Sequence, residues 1–327
     1  MSQGSEGIPN ERITGVLLVD KPPGCTSHDV VDRVRRIFGL SKVGHAGTLD
    51  PAASGLLLLG LGKATRILAF LQGLPKSYRA EVQFGVVTTS QDADGEVVSV
   101  QKTNHARFDV EAAAARFQGE ITQLPPMYSA VKVGGKPLYR AARKGEEVER
   151  SPRTVRVYDL QIEAFDQDMQ VATMLLHCSS GTYVRTLAAD LGDRLGGGAH
   201  LSKLRRLSIG SFGIEQSTRL QDLEDMGLEN ARRAVISMRE AMRDFPQVRV
   251  EGERLQAVTH GRPVEDAPVP RRLGELPLAG SGRTGERPSH QAGMTAGIPV
   301  AMIGPAGELI AVYRRSAKGL RPAAVLL

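Results

Sequence analysis

The chain is poor in cysteine: Cys25 and Cys178 are its only two in 327 residues. They stand far apart and have no histidines at ligand spacing, so neither a disulfide framework nor a zinc site is suggested. No apolar run approaches the ~18 residues that a membrane-spanning helix needs, and Met1 to Arg12 is polar, without the apolar core of a secretion signal. A soluble, cytoplasmic protein with no membrane attachment is expected. Asp92-Ala93-Asp94-Gly95 lacks a third early ligand and a closing bidentate glutamate, so it reads as a turn and not as a calcium loop. No internal repeat is evident. The length still suffices to bury a core without disulfides or metals, and two domains are expected.

Positive charge is what the chain has in excess. Lys plus Arg number 42 against 36 for Asp plus Glu, a formal charge of +6, and the pI is near 9.4. That balance suits a nucleic-acid partner without requiring one. Its distribution says more, because Lys132, Lys136, Arg140, Arg143, Lys144, Arg150, Arg153 and Arg156 face only Glu146, Glu147 and Glu149 in the same stretch.

Gly15 to Val19 reads as a buried strand ending at Lys21-Pro22-Pro23-Gly24. Thr26 and Asp29 form a capping box for a helix to Phe38, stopped by Gly39. Leu56 to Leu61 reads as a buried strand and Lys63 to Leu71 as a short helix. Tyr78, Ala80, Val82 and Phe84 alternate with polar residues, the mark of a strand with one buried face. Asp109 is expected to cap a helix to Phe117. Val155 to Phe165 and Gln170 to Cys178 are strands, with a bulge between Val157 and Leu160. Thr182 is the expected N-cap of a helix carrying Val184, Leu187, Leu191 and Leu195 inward, and Ala199 to Leu207 is a basic strand. A helix from about Asn230 to Met242 closes the first domain (1–247), with Pro246 at the boundary. A small β-rich unit (248–327) follows, interrupted at 264–297 by a Pro/Gly/Ser-rich insertion that reads as disordered.

Between the first two buried strands lies Gly44-His45-Ala46-Gly47-Thr48-Leu49-Asp50-Pro51. Its two glycines allow backbone conformations closed to other residues, and Pro51 keeps Leu49-Asp50 extended. A polar loop flanked by buried strands is where chemistry usually sits. This octet, followed by Ala53-Ser54-Gly55-Leu56-Leu57, resembles the catalytic motif of the TruB family of tRNA pseudouridine synthases. The resemblance continues through Val19-Asp20-Lys21-Pro22, Lys76-Ser77-Tyr78, Pro126-Met127-Tyr128-Ser129-Ala130 and Gly181-Thr182-Tyr183-Val184-Arg185-Thr186. It covers roughly residues 13 to 215.

The resemblance implies an α+β fold: a mixed, largely antiparallel sheet in the catalytic domain, with a small C-terminal PUA-like RNA-binding domain. It implies the isomerisation of uridine 55 in the T-loop of tRNA, without a cofactor or metal and without an obligate protein partner, the chain acting as a monomer. Asp50 is then the nucleophile, since a carboxylate is ionised at neutral pH without an adjacent base. Attack at C1′, assisted elimination to a glycal, and addition at C6 of the base all stay open, and no acceptor for the C5 proton stands out. Arg185 pairs with Asp50, Tyr78 and Leu204 sandwich the uracil, and Lys21 supports the site. His45 either bonds backbone in its turn or fills the stack that the flipped base vacates. The segment 124–153 implies an RNA-binding thumb with Lys132, Arg140, Arg143 and Lys144, joined by Arg205 and Arg206 on the basic strand. Two other functions fit the same features: a non-catalytic tRNA-binding or folding protein, and a guide-RNA-dependent synthase of the dyskerin type.

Overall fold

The computed structural model describes residues 13–127, 132–133, 136–137, 148–265, 297–316 and 319–326. An eleven-stranded sheet forms the centre of these residues. Its main path runs Thr218–Arg219, Gly15–Lys21, Ser54–Leu61, Ala199–Ile209, Lys76–Phe84, Val171–Cys178, Arg153–Asp166 and Gly119–Gln123. Two neighbours on that path are parallel, Gly15–Lys21 with Thr218–Arg219 and Ser54–Leu61 with Ala199–Ile209. The other pairs are antiparallel, so the sheet is mixed and largely antiparallel as expected.

The apolar runs become the strands covered on both faces. Leu57 and Leu59 pack towards the helix Ser27–Phe38, whereas Leu56 and Leu58 face the opposite way. All four are fully buried, each contributing roughly 1.5–3 kcal/mol over an exposed position. The helix starts with the expected capping box of Thr26 and Asp29 and stops at Gly39, whose φ of 62° is the left-handed conformation glycine adopts without strain. Lys76–Phe84 buries Lys76, Tyr78, Ala80, Val82 and Phe84 on one face, and the anticipated bulge lies between Val157 and Asp159.

Several local expectations need correction. The helix Arg107–Ala115 starts at Ala106, and Asp109 sits inside its first turn, where a negative charge still suits the helix dipole. Thr182 does not cap the helix Val184–Leu195, because its hydroxyl donates backwards to the Ser179 carbonyl. The N-cap is Tyr183, without a side-chain cap; Gln123 accepts from its N–H and donates to its carbonyl. The span 230–242 is not one helix but Leu228–Arg233, the strand Val235–Ile236 and Met238–Ala241, because Val235–Ile236 pairs with Gly15–Lys21. The segment after Leu61 begins as a 3-10 helix, Gly62–Ile67, and becomes α-helical only at Leu68–Gln72.

At the C-terminal end, Gln247–Arg249, Pro299–Ile303, Leu309–Ser316 and Gly319–Val325 form a second sheet in that order. One of its faces supplies Ala301, Ile303, Leu309 and Val312 to the cluster built on Leu56, Leu58 and Phe70. The other, with Val300, Met302 and Tyr313, closes over Val250 and Val258. Residues 266–296 of the expected insertion lie outside the described residues. Its two ends rest on this sheet, Val264 pairing with Leu320 and the Gly297 N–H donating to the Arg315 carbonyl.

Candidate active site

Asp50 stands on a loop whose backbone is tied at almost every step. The Ala46 N–H donates to Leu58, the Leu49 N–H to the Ser27 hydroxyl, the Ser27 hydroxyl to the Leu49 carbonyl, and the Gly24 N–H to the Pro51 carbonyl. Gly47 has φ 105° and takes the left-handed turn that the motif suggested. Gly44 does not; it lies in the strand Val43–His45, where a Cβ would press on Leu68 at 3.1 Å. Its glycine answers close packing and not backbone freedom.

Two buried cations hold this loop from beneath through main-chain carbonyls. Lys21 Nζ donates to the carbonyls of Pro22 (2.8 Å), Cys25 (2.7 Å) and Pro51 (3.2 Å). Arg206 donates to Leu56 (2.7 Å), Thr48 (3.4 Å) and Gly47 (3.2 Å). Arg206 is 1% exposed, so its assignment to RNA contact is wrong: the guanidinium is turned inward, its donors serving the catalytic loop, Leu56 and the Tyr78 side chain. Lys76 lies under the same loop, donating to Gln72 and Leu74, and burial pushes its amine down to about 7. Burial also lowers Lys21, and Asp50 opposes that shift.

The carboxylate of Asp50 meets Arg185, 135 residues away in sequence, at 3.3 and 3.5 Å, both oxygens facing one guanidinium nitrogen, Nη2. The expected Arg185–Asp50 pair thus forms through one nitrogen and not as a two-nitrogen fork. Nη1 goes to Asp92 at 3.0 Å, so a single buried arginine is shared between two carboxylates. Asp92 is in turn held by the Ser90 hydroxyl and the Asp94 N–H on its other oxygen. The Asp92 to Gly95 segment is a turn, as read, yet Asp92 belongs to the site. In the sequence Asp92 shows only as a turn residue without the other ligands of a calcium loop. The unmet need of a buried first-turn arginine for an anion was the signal that could have found it.

Asp50 keeps 43% of its side-chain surface exposed. The surrounding protein nevertheless raises its pKa from 3.8 by desolvation, Arg185 opposing and Asp92 adding to the rise. Beside it, Leu49, Ala53 and the 7% exposed Tyr78 share one apolar cluster, against which Leu204 packs. Tyr78 and Leu204 lie on adjacent antiparallel strands, Leu204 opposite Ala80 and Arg206 opposite Tyr78. Burial pushes the Tyr78 phenol up to about 12, so it stays neutral. His45 sits at the end of its short strand, opposite Leu59, with its Nδ1 buried and without a hydrogen-bond partner. The backbone bond that a turn histidine would make at that nitrogen is thus absent. Arg205, 40% exposed, is engaged through both nitrogens by Asp20 at 3.1 and 2.7 Å.

Arg140, Arg143 and Lys144, and the side chain of Lys132, lie outside the described residues. The segment containing them leaves and rejoins the sheet at one place, where Gln123 pairs with Arg153 and Arg150 donates to the Pro125 carbonyl. Among the described residues no group of three or more His, Cys, Asp or Glu could hold a metal, and no helix is long and apolar enough to cross a membrane.

The arrangement offers an accessible carboxylate on a rigid loop, oriented by an arginine and bordered by an apolar wall with an aromatic ring. Such a wall suits a flat, unstacked base. Replacing Tyr78 with Phe is expected to keep tRNA binding and most turnover, because the ring face remains. Tyr78→Leu is expected to lose about tenfold or more in kcat/KM, base-aromatic stacking being worth ~1–3 kcal/mol. Single-turnover assays on both variants check this, and equal behaviour of the two would refute a stacking role.

Comparison with known proteins places these residues in context. Residues 35–184 match the TruB family pseudouridylate synthase N-terminal domain, and residues 185–244 the tRNA pseudouridylate synthase B C-terminal domain. A tRNA pseudouridine synthase B of Syntrophotalea carbinolica is 45% identical over 254 residues, 77% of this chain and 82% of that protein. One from Symbiobacterium thermophilum is 49% identical over 251 residues, 76% of this chain and 82% of that protein. Among solved structures, a Cbf5-Nop10-Gar1 complex contains a chain that superposes with a TM-score of 0.71 at 28% identity, covering 98% of this chain and 88% of that one.

Proposed function

This chain belongs to the TruB family of pseudouridylate synthases and isomerises uridine to pseudouridine in tRNA; we propose that Asp50 is the nucleophile and that uridine 55 of the T-loop is the target. The observation that carries the assignment is the Asp50–Arg185 contact, which brings together two motifs far apart in sequence at an accessible carboxylate. The reaction cuts the bond from N1 to C1′, turns the freed uracil and joins C5 to C1′. It is redox-neutral and needs a carboxylate that is ionised and held, a role Arg185 supports by pairing with it.

In this reading Tyr78 and Leu204 receive the extruded base, Lys21 fixes the Pro51 end of the catalytic loop, and His45 fills the vacated stack. The catalytic domain spans 1–247 and the PUA-like domain 248–327. The segment 124–153 closes over the T-arm, its basic side chains neutralising phosphates. The chain works as a monomer in the cytoplasm, needing no further protein.

Incubating the isolated chain with an unmodified tRNA transcript tests this reading. Loss of uridine and gain of pseudouridine at position 55 is expected without guide RNA or added protein. No conversion without such additions would favour the guide-dependent reading, to which the Cbf5 resemblance lends its only weight. Neutralising Arg140, Arg143 and Lys144 together is expected to flatten the slope of log affinity against log salt by about two to three units if all three touch phosphate. An unchanged slope in a binding titration would leave the segment a solvated loop.

A further inference from the structure

Among the described residues only Gln91 and Gln170 are non-glycines at positive φ, and Gln91, at 65°, immediately precedes Asp92. Left-handed backbone is unfavourable for a residue with a Cβ and persists where the surroundings over-determine it. Here they do. The Gln91 N–H donates to the Thr88 carbonyl, and its own carbonyl accepts from the Leu201 N–H. Its side-chain Oε1 accepts from the Thr186 hydroxyl at 3.0 Å. Asp92 is locked likewise, its carbonyl accepting from the Thr88 hydroxyl at 2.7 Å, and the Ala93 N–H donates to Leu201.

Two adjacent loop residues thus grip two adjacent helix residues: Gln91 takes Thr186, and Asp92 takes Arg185. Thr186 and Arg185 are both buried in the first turn of the helix Val184–Leu195. Shifting Gln91 would carry Asp92 with it, since they share a peptide bond, and Asp92 holds the nitrogen of Arg185 that does not face Asp50. We propose that Gln91, through its bond to Thr186, is a positioning residue for the isomerisation, fixing Asp92 so that Arg185 presents its other nitrogen to Asp50. Neither side chain touches the reacting atoms; both act through Asp92 and Arg185. This inference rests on the assignment of Asp50 and Arg185 above.

The bland alternative is a tie that merely stabilises the loop. Two variants separate the roles. Gln91→Asn tolerates left-handed backbone but is too short to reach Thr186, and Thr186→Val removes the donor while keeping its shape. Each is expected to lower single-turnover kcat about tenfold, the scale of a small misplacement, with KM for the tRNA transcript within twofold. The acid limb of the rate profile should also move to higher pH, because a displaced Arg185 opposes less well the burial, Asp92 and Asp94 that raise Asp50, with Lys21 the remaining nearby cation. The double variant should be no slower than the worse single one, and Thr186→Ser should restore wild-type behaviour. The proposal fails if Thr186→Val keeps the wild-type rate and acid limb, whatever its melting temperature. It also fails if the two losses multiply in the double variant. Should Gln91→Asn not fold, Thr186→Val and Thr186→Ser decide the matter alone. Asp50→Asn and Arg185→Met, measured in the same series, test the underlying assignment separately.

Discussion

Asp50→Asn is expected to lower turnover by more than about four orders of magnitude while leaving tRNA affinity within a few-fold. An amide of the same shape cannot attack carbon as a carboxylate does, and removing a nucleophile outright costs on that scale in other enzymes. Binding survives because the bonds that hold the loop use its backbone and its neighbours; the Asp50 carbonyl still accepts from the Ala53 N–H. Stability should hold or rise. The folded-state pKa of Asp50 lies above its free value, so the folded protein binds the extra proton, and stability falls as pH climbs through that window. At neutral pH the ionised carboxylate therefore opposes folding, though weakly, since much of its surface is exposed. Pseudouridine yield at position 55, a filter-binding isotherm and a melting curve together check all three expectations. Turnover above about one per cent of wild type would remove Asp50 from the nucleophile's role.

Arg185→Met is expected to have the next largest effect, roughly a hundredfold or more in kcat, and to move the acid limb of the pH profile upward. The sign follows from the charges. Activity requires Asp50 ionised, so it is present above its pKa and lost as pH falls through it. Burial and Asp92 raise that pKa, and Arg185 is the chief group holding it down. Without the guanidinium, the Asp92 carboxylate would still raise Asp50 with less to oppose it. Arg185→Lys restores charge but not the planar group that reaches Asp50 with one nitrogen and Asp92 with the other. It should recover the pH limb more fully than the rate. Rate profiles of the two variants settle this, and an acid limb that stays in place in Arg185→Met would show that Arg185 does not stabilise the carboxylate.

A buried arginine shared by two acids also bears on folding. Its desolvation is offset in part by these two carboxylates, so losing Asp92 would remove one of the charges that hold it. The three buried cations Lys21, Lys76 and Arg206 are satisfied differently, by carbonyls. Of the three, Lys21 favours the ionised form of Asp50, a nucleophile that works as an anion.

Much of this molecule was legible in the chain, because some signals are local. The capping box at Thr26, the alternation from Lys76 to Phe84, the apolar run Ser54–Leu61 and the bulge after Val157 are set by neighbours in sequence, and each formed where those neighbours required. The octet ending at Asp50-Pro51 likewise declared a loop, although its first two residues, Gly44 and His45, pair as strand. Tertiary contacts decided the rest. Tyr183 stands at the N-cap expected of Thr182, both its backbone groups bonded to Gln123 from a strand 60 residues earlier in the chain, and Val235–Ile236 left its helix to pair with Gly15–Lys21. Arg205 and Arg206 are adjacent and identical in type, yet one reaches Asp20 at the surface while the other is buried under Thr48. Asp92 looked like any turn aspartate until the sheet carried it to Arg185. Composition and spacing record which charges a chain has, but the direction a side chain faces, and which opposite charge waits there, depends on strands brought together from distant parts of the sequence.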